Sequence, residues 1–177
     1  RKPLSSMDRV YNGLNENNII TTGCLQSKWN QLVLAGRGGE ALELIKKFRD
    51  KFGEDFYLEV QLNNLDIQMT CNNFYKKVYE KTGIKPVFSL DYHYANKDDW
   101  YIQYLLYVIR QRETVNSYPV KDWFYTVHSL YIKEIDEIYA EAEKYGMDKK
   151  FLELAIDSTF EINDKVKIEM PKYPDNF

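Results

Sequence analysis

The segment Phe56-Tyr-Leu-Glu-Val60 predicts a β-strand, because its aromatic and branched side chains favour a pleated, half-buried surface. Two further runs of this kind occur in the chain, Asn18-Ile-Ile-Thr-Thr22 before it and Pro86-Val-Phe-Ser-Leu90 after it. The first of them ends at Gly23, a residue that is typical of turns. The sequence therefore predicts three short strands.

Helical stretches separate these strands. A short one around Trp29 to Ala35 is followed by a glycine-rich break, and then by apolar residues at helical spacing up to a stop at Gly53. A second helix is predicted from Leu65 to Lys81, before Thr82-Gly83. The order is βαβαβ, which predicts an α/β fold with parallel strands in a sheet or barrel, because right-handed crossovers return each strand in the same direction. All strand C-termini should then share one face.

Helices dominate the rest of the chain. Residues Trp100 to Arg110 predict a tyrosine-rich apolar helix, residues 115–124 are irregular, and Ser129-Leu-Tyr-Ile132 predicts a short extended piece. Two amphipathic helices follow, of which the first ends at Gly146 and the second begins with Asp148 as its N-cap.

Composition limits the class of protein. The 177 residues are 44% hydrophobic and 15% aromatic, as in one globular domain or a piece of one. Lys and Arg (24) are outnumbered by Asp and Glu (27), and positive and negative residues are interspersed along the chain. A basic surface stripe that binds DNA phosphates is therefore not expected. Two cysteines and no apolar run of roughly 20 residues indicate a cytoplasmic protein without a membrane span.

The clearest chemical motif is Asp91-Tyr92-His93, directly after the third predicted strand. In an extended backbone, residues two apart project to the same side, so a carboxylate and an imidazole can meet one metal ion. Cys24 follows the first strand and should lie at the same face, where chemistry gathers in such folds. Taken alone, an Asp-x-His triplet is often a surface accident, and a cysteine beside a strand is more often a small core residue. Cys71 lies in mid-helix and is interpreted as packing.

A series of segments in order resembles the PHP (polymerase and histidinol phosphatase) domain of bacterial or phage DNA polymerase III alpha subunits. The matching segments are Ile19–Leu25, Leu32–Gly36, Phe52–Gln61 and Phe88–Tyr94. The resemblance continues through Leu130-Tyr-Ile-Lys133, and through Thr159–Ile162 to the stretch Met170–Pro174, which resembles the passage towards the polymerase palm. It covers nearly the whole chain, and the order of the segments makes it specific.

The resemblance implies a part of a distorted PHP-type β/α barrel, followed by a mostly helical extension towards the palm. Residues 1–125 would be the C-terminal part of the PHP domain, and residues 126–177 the helical extension and linker, with a proline-stiffened exit at 170–177. The His-x-His and neighbouring ligand motifs of the family have no counterpart before Arg1, so the chain is expected to begin in mid-domain.

The resemblance also implies a site. Cys24 matches the third ligand motif of the family, and Asp91 with His93 matches the fourth, in a cluster that holds zinc or manganese. Family members with a complete set can act as metal-dependent 3′ to 5′ exonucleases or phosphoesterases, in which the metal ions activate water and clamp the phosphate. Three ligands do not make the full cluster, so this chain alone is expected to be inactive, and no residue of it is assigned as catalytic.

The polymerase reaction and its partners belong to the whole protein in this interpretation. The magnesium-binding carboxylates of the palm would lie after Phe177, so the chain itself should not polymerise DNA. DNA would be bound through the full-length polymerase, and other replisome subunits, such as the proofreading exonuclease, would be partners. Glu59 is interpreted as structural, and His128 receives no role.

Two alternatives stay open. In some family members the site has decayed, and the domain is a non-catalytic structural or docking module of the replisome. A stand-alone PHP phosphatase, similar to histidinol phosphatase, would share the Asp-x-His ending, but it should not carry the extension from Leu130 to Pro174.

Overall fold

The structure is a computed structural model that describes residues 5–123 and 128–167. Within them, seven α-helices accompany a three-stranded sheet. The helices are α1 Met7–Gly13, α2 Lys28–Leu34, α3 Gly38–Phe52, α4 Asp66–Thr82, α5 Trp100–Gln111, α6 Ile135–Lys144 and α7 Lys149–Lys165. The strands are β1 Ile20–Thr21, β2 Phe56–Gln61 and β3 Pro86–Ser89.

The sheet is parallel throughout, with β2 between β1 and β3. Thr21 of β1 aligns with Tyr57, and Gln61 at the end of β2 aligns with Ser89 at the end of β3. The predicted βαβαβ order and the shared direction of the strands are therefore confirmed. Three strands do not close a barrel, so the PHP-type barrel stays a prediction.

One hydrophobic core contains residues of the sheet, of helices α3 and α4 that lie between its strands along the chain, and of helices α6 and α7 that follow α5. Phe56, Leu58 and Val60 alternate along β2 and are fully buried, because alternate side chains of a strand point to one face. The other buried members of this core come mainly from α3, α4 and α7, and include Ile45, Phe48, Tyr75, Val78, Phe151, Leu152 and Ala155. Helix α7 thus belongs to the same folding unit as the sheet.

Cys71 of α4 lies in this core and is fully buried. Its burial raises the pKa of the thiol to about 11, so the thiolate is strongly disfavoured. The interpretation of Cys71 as a packing residue is confirmed.

The helix boundaries follow the predicted signals. Gly53 ends α3 at φ 55° and Gly83 ends α4 at φ 70°, in the left-handed region that glycine adopts without a steric penalty. Asp148 caps α7 as predicted, since its Oδ1 accepts a hydrogen bond of 2.9 Å from the Phe151 amide.

Helix α5 forms a second, smaller cluster. Tyr104 and Val108 of this helix pack with Trp123, and the Tyr104 hydroxyl donates to the Tyr118 carbonyl at 2.5 Å. The described part of the irregular segment predicted around residues 115–124 therefore packs on one side of α5. None of the described helices is long and apolar enough to cross a membrane.

The extended piece predicted at residues 129–132 runs beside the chain that follows β3. Tyr94 and Tyr131 form an isolated parallel bridge, and the His93 amide donates to the Leu130 carbonyl at 2.7 Å. The predicted domain boundary between residues 125 and 126 and the predicted linker at 170–177 lie outside the described residues.

Two elements differ from the prediction. Helix α1 was not expected, and its signal is Ser6, whose hydroxyl accepts from the Arg9 amide at the N-cap. The first strand, Ile20–Thr21, is shorter than the predicted run of residues 18–22.

Candidate metal site at the carboxyl ends of the strands

The structure brings Asp91 and His93 together just after β3. His93 Nε2 lies 3.5 Å from Asp91 Oδ1, and both side chains are partly exposed. The backbone differs from the extended form that the sequence predicted, because Asp91 has φ 48°, in the left-handed region. Aspartate is one of the few residues with a side chain that tolerates this conformation. The pair therefore forms through a left-handed residue at Asp91 and not through a fully extended backbone.

Gln103 of α5 also contacts His93. Its Nε2 atom lies 2.7 Å from His93 Nδ1, while its Oε1 atom is buried and has no hydrogen-bond partner. An amide nitrogen only donates, so in this arrangement Nδ1 accepts and the ring proton of a neutral His93 is on Nε2, facing Asp91. Gln103 thereby influences which ring nitrogen is available to a ligand.

Cys24 lies in the turn after β1 and is partly buried. Its carbonyl accepts from the Ser27 amide at 2.8 Å and from Asn30 Nδ2 at 2.9 Å. Asn30 is itself buried and accepts a hydrogen bond of 2.8 Å from the Tyr75 hydroxyl. The backbone at Cys24 is thus held to α2 and α4.

Cys24 and Asp91 lie at the same end of the sheet but beyond different strands. Since β2 separates β1 from β3, and adjacent strands are about 4.8 Å apart, the two loops start roughly two strand spacings from each other. Among residues 5–123 and 128–167, no three His, Cys, Asp or Glu side chains come together in a group that could hold a metal ion. The set of Cys24, Asp91 and His93 as metal ligands stays a prediction.

The side chain of Glu59 on β2 forms hydrogen bonds with residues of both neighbouring strands. Its Oε2 atom accepts from Thr21 Oγ1 of β1 at 2.6 Å, and its Oε1 atom accepts from Ser89 Oγ of β3 at 2.7 Å. Gln61 Nε2 donates to the same Oε1 atom at 2.8 Å. Three donors to one carboxylate explain how this residue is accommodated inside the sheet, as its structural interpretation requires.

Four buried amide side chains at the end of β2 were missed by sequence reasoning. Gln61 and Asn63 are on or just after the strand, and Gln68 and Asn72 are one turn apart on α4. Asn72 contacts the main chain of Gln61, Gln68 contacts Asn72, and Asn63 contacts Gln68. The available signal was the i,i+4 spacing of Gln68 and Asn72, which puts two amides on one face of a helix.

Helix α5 carries an exposed apolar stripe, of which Ile102 and Leu106 line a pocket together with His93. Ile102, Leu106 and Ile109 follow helical spacing and are 56%, 62% and 69% exposed.

His128 stacks flat on Trp100 with ring centroids 3.8 Å apart. That stacking gives His128 a packing role, in agreement with its exclusion from the site.

No family model matches the chain. Among curated proteins, it is 28% identical over 163 residues to DNA polymerase III subunit alpha of Aquifex aeolicus, and 29% identical over 164 residues to that of Thermus aquaticus. Each match covers 88% of this chain but only 14% and 13% of the relative. The alpha subunit of Deinococcus radiodurans is 26% identical over 86% of the chain and 11% of the relative. The chain is thus similar, over most of its length, to a small part of bacterial DNA polymerase III alpha subunits.

Proposed function

We propose that this chain contributes the later metal-ligand motifs of a PHP-type domain in a replicative DNA polymerase, and that the complete domain hydrolyses phosphoesters as a metal-dependent 3′ to 5′ exonuclease. The observation that carries the proposal is the pairing of Asp91 Oδ1 with His93 Nε2, 3.5 Å apart, beyond the carboxyl end of β3. The similarity to alpha subunits supports it.

The donor atoms of the pair suit the proposed metal. A carboxylate oxygen and an imidazole nitrogen are ligands for manganese or zinc, and the Cys24 thiol would add a ligand that favours zinc. A metal bound there would lower the pKa of a coordinated water and polarise a phosphoryl oxygen. Asp91 and His93 would hold the ion, and Cys24 would join them in a cluster completed by ligands from outside this chain.

Gln103 would favour the tautomer of His93 that can bind a metal ion through Nε2. Binding through Nε2 requires the ring proton on Nδ1, and metal-binding histidines usually donate that proton to an oxygen. Rotation of the Gln103 amide would bring its unpaired Oε1 atom to the place now taken by Nε2, which lies 2.7 Å from Nδ1. Gln103 is therefore the proposed positioning residue of His93.

The experiment is the metal content per chain, by elemental analysis after dialysis, of the wild type and of the variants Asp91→Ala and His93→Ala. We expect stoichiometric manganese or zinc in the wild type and its loss in both variants. The variants His128→Ala and Asp98→Ala serve as controls, because the first removes the other histidine and the second an exposed carboxylate seven residues from Asp91. Metal that is retained in Asp91→Ala and His93→Ala would contradict the proposal, and no metal in any of the proteins would favour a structural or docking role.

The second candidate is a docking module of the replisome without a metal site. The exposed stripe of Ile102, Leu106 and Ile109 favours it, since exposed apolar patches often mark interaction surfaces. The same elemental measurement separates the two candidates, because a docking module does not require bound metal.

For the whole polymerase, the proposal includes DNA and other replisome subunits, such as the proofreading exonuclease, as partners. It also includes a magnesium-dependent palm outside this chain and a cytoplasmic location. The similarity to alpha subunits supports these points.

A further inference from the structure

Helix α5 has two apolar faces, and the structure buries only one of them. Tyr104 and Val108 on the buried face belong to the small cluster described above. On the other face, Ile102, Leu106 and Ile109 are each more than half exposed. Contact between water and an apolar stripe of this kind is unfavourable, so the stripe favours another apolar surface as its partner.

The stripe has the spacing of a contact between two helices. After Ile102 the next members follow at intervals of four and then three residues, an alternation that keeps apolar side chains on one seam between packed helices. Ile102 and Leu106 also line a cavity of about 510 Å³ together with His93 and Gln103. A helix that packs along α5 would therefore meet a row of apolar side chains with a recess beside it.

Unpaired charges of opposite sign lie at the two ends of the stripe. Asp98 precedes it, and Arg110 and Arg112 lie at its carboxyl end; all three residues are exposed. Within residues 5–123 and 128–167, the side chains of these three residues form no ion pair and no hydrogen bond. The stripe is therefore acidic where it begins and basic where it ends.

The other charged residues near the stripe have partners inside the molecule. Asp99 Oδ2 accepts from the Asn96 amide at 2.9 Å in a helix cap, and Glu113 Oε2 accepts from Ser117 Oγ at 2.7 Å. Lys97 lies within electrostatic range of a carboxylate of α6. The three charges at the ends of the stripe are thus the ones that can pair with another molecule.

This distribution of charge selects how a second copy of the chain can bind. Two α5 helices packed in parallel would bring like charges together at both ends. In the antiparallel arrangement, Ile102 of each copy lies opposite Ile109 of the other. Arg110 and Arg112 of one copy then come within about one helical turn, measured along the helix axis, of Asp98 of the other. Such a contact has the twofold symmetry of most homodimers.

We propose that α5 is a dimerisation surface, to which a second copy of this chain binds through its own α5 in the antiparallel direction. Ile109 of each copy packs beside Ile102 at the edge of the cavity of the other, and Asp98 pairs with Arg112. Three exposed side chains bury well under the roughly 800 Å² per partner of a stable interface, so the dimer is weak, with a Kd on the order of 100 µM. The contact needs no metal ion and is therefore independent of the proposed function.

The test is sedimentation equilibrium of the chain from about 10 µM to about 1 mM, in a buffer with EDTA to remove divalent metals. We expect a monomer–dimer equilibrium in the wild type. The Kd of Leu106→Asp should be at least about tenfold weaker, because a charge would be buried at the centre of the contact. Phe160→Asp is the matched control, since Phe160 is 66% exposed but lies on α7, and it should dimerise like the wild type.

Charge reversal tests the antiparallel pairing. Asp98→Arg alone and Arg112→Asp alone should each weaken the dimer about fivefold at low salt, because each variant brings like charges together. The double variant restores opposite charges, so its Kd should return close to the wild-type value. Aspartate tolerates the left-handed backbone of Arg112, which has φ 60°, so the fold should be kept.

A second measurement needs no variant and stays informative if a variant does not fold. In ¹H–¹⁵N spectra of the wild type, dilution over the same concentration range should shift the amide signals of residues 102–109 and leave those of α7 unchanged.

Three results would overturn the inference. A wild type that stays a monomer at about 1 mM would mean that something other than a second copy covers the stripe. A dimer that is disrupted by Phe160→Asp and not by Leu106→Asp would have its contact elsewhere. A double charge variant as weak as the single variants would exclude the antiparallel pairing. None of these results depends on metal content, so the proposed function is tested separately.

Discussion

Lys133 Nζ lies 2.6 Å from Glu141 Oε2, and the two side chains are only 3% and 9% exposed. Lys133 also donates to the carbonyl of Leu62, directly after β2, at 3.2 Å. The buried ammonium group of Lys133 therefore connects α6 to the end of the central strand β2. These contacts with Glu141 of α6 and with the Leu62 carbonyl stabilise the carboxyl end of the sheet.

Removal of one partner of this ion pair should strongly destabilise the fold. An unpaired charge would stay buried in Lys133→Met or Glu141→Leu, so we expect each to lower the free energy of unfolding by about 3–5 kcal/mol in urea titrations. The double variant should recover most of the loss, because two apolar side chains leave no buried charge. Lys149→Met is the control, since its contact with Glu153 is exposed and worth about 0.5 kcal/mol or less. A double variant as unstable as the sum of both single variants would refute this account.

Acid should weaken the attachment of α7 to the sheet. Glu161 accepts from Lys85 Nζ at 2.5 Å, from Lys165 Nζ at 3.0 Å and from the Tyr57 hydroxyl at 2.9 Å. The hydrogen bond from Lys85 contributes most, and together the contacts outweigh desolvation and lower the pKa of Glu161 to about 2, from an ordinary value of 4.5. Because the folded pKa is depressed, the stabilisation is complete above about pH 4.5 and is lost as the pH falls towards 2.

Thermal denaturation of the wild type and of Glu161→Gln checks this expectation. The Tm difference between them should be largest near about pH 6, shrink at about pH 3 and vanish near about pH 2. Glu153→Gln, on the exposed side of the same helix, should show little difference at any pH. A Tm difference for Glu161→Gln that does not change with pH would mean that the charge of Glu161 is not the cause.

The tautomer of His93 should depend on Gln103. Gln103 Nε2 contacts His93 Nδ1 at 2.7 Å, so at alkaline pH the metal-free chain should hold the ring proton on Nε2. A neutral hydrogen bond is worth about 0.5–1.5 kcal/mol, so Gln103→Leu should reduce this preference by up to about tenfold. Ring ¹⁵N spectra measure the ratio, and His128, the only other histidine, is the internal reference. An unchanged ratio in Gln103→Leu would exclude Gln103 as the positioning residue.

Local patterns were sufficient to predict the elements that build the sheet. The branched and aromatic content of Phe56–Val60, the stops at Gly53 and Gly83 and the cap at Asp148 act within a few residues of the chain, so each can be recognised without knowing the fold.

Relationships between distant elements could not be predicted in this way. The separation of Cys24 from Asp91 depends on the position of β2 between the other two strands, which periodicity does not specify. The Lys133–Glu141 contact and the amide series ending at Asn63 depend on how α4 and α6 pack, and polar residues in a helical pattern look the same whether they are buried or exposed. The left-handed backbone conformation of Asp91 could not be predicted either, because no glycine occurs at that position.

The position of α7 has a consequence for synthesis on the ribosome. This helix packs along β3 and supplies Phe151, Leu152 and Ala155 to the core that β2 also enters, yet it is made after α5 and α6. While those intervening segments emerge, the nascent sheet must keep an apolar face uncovered. Exposed strands of this kind are prone to mispairing, so the chain should be most exposed to chaperones in the interval between the release of β3 and the release of α7.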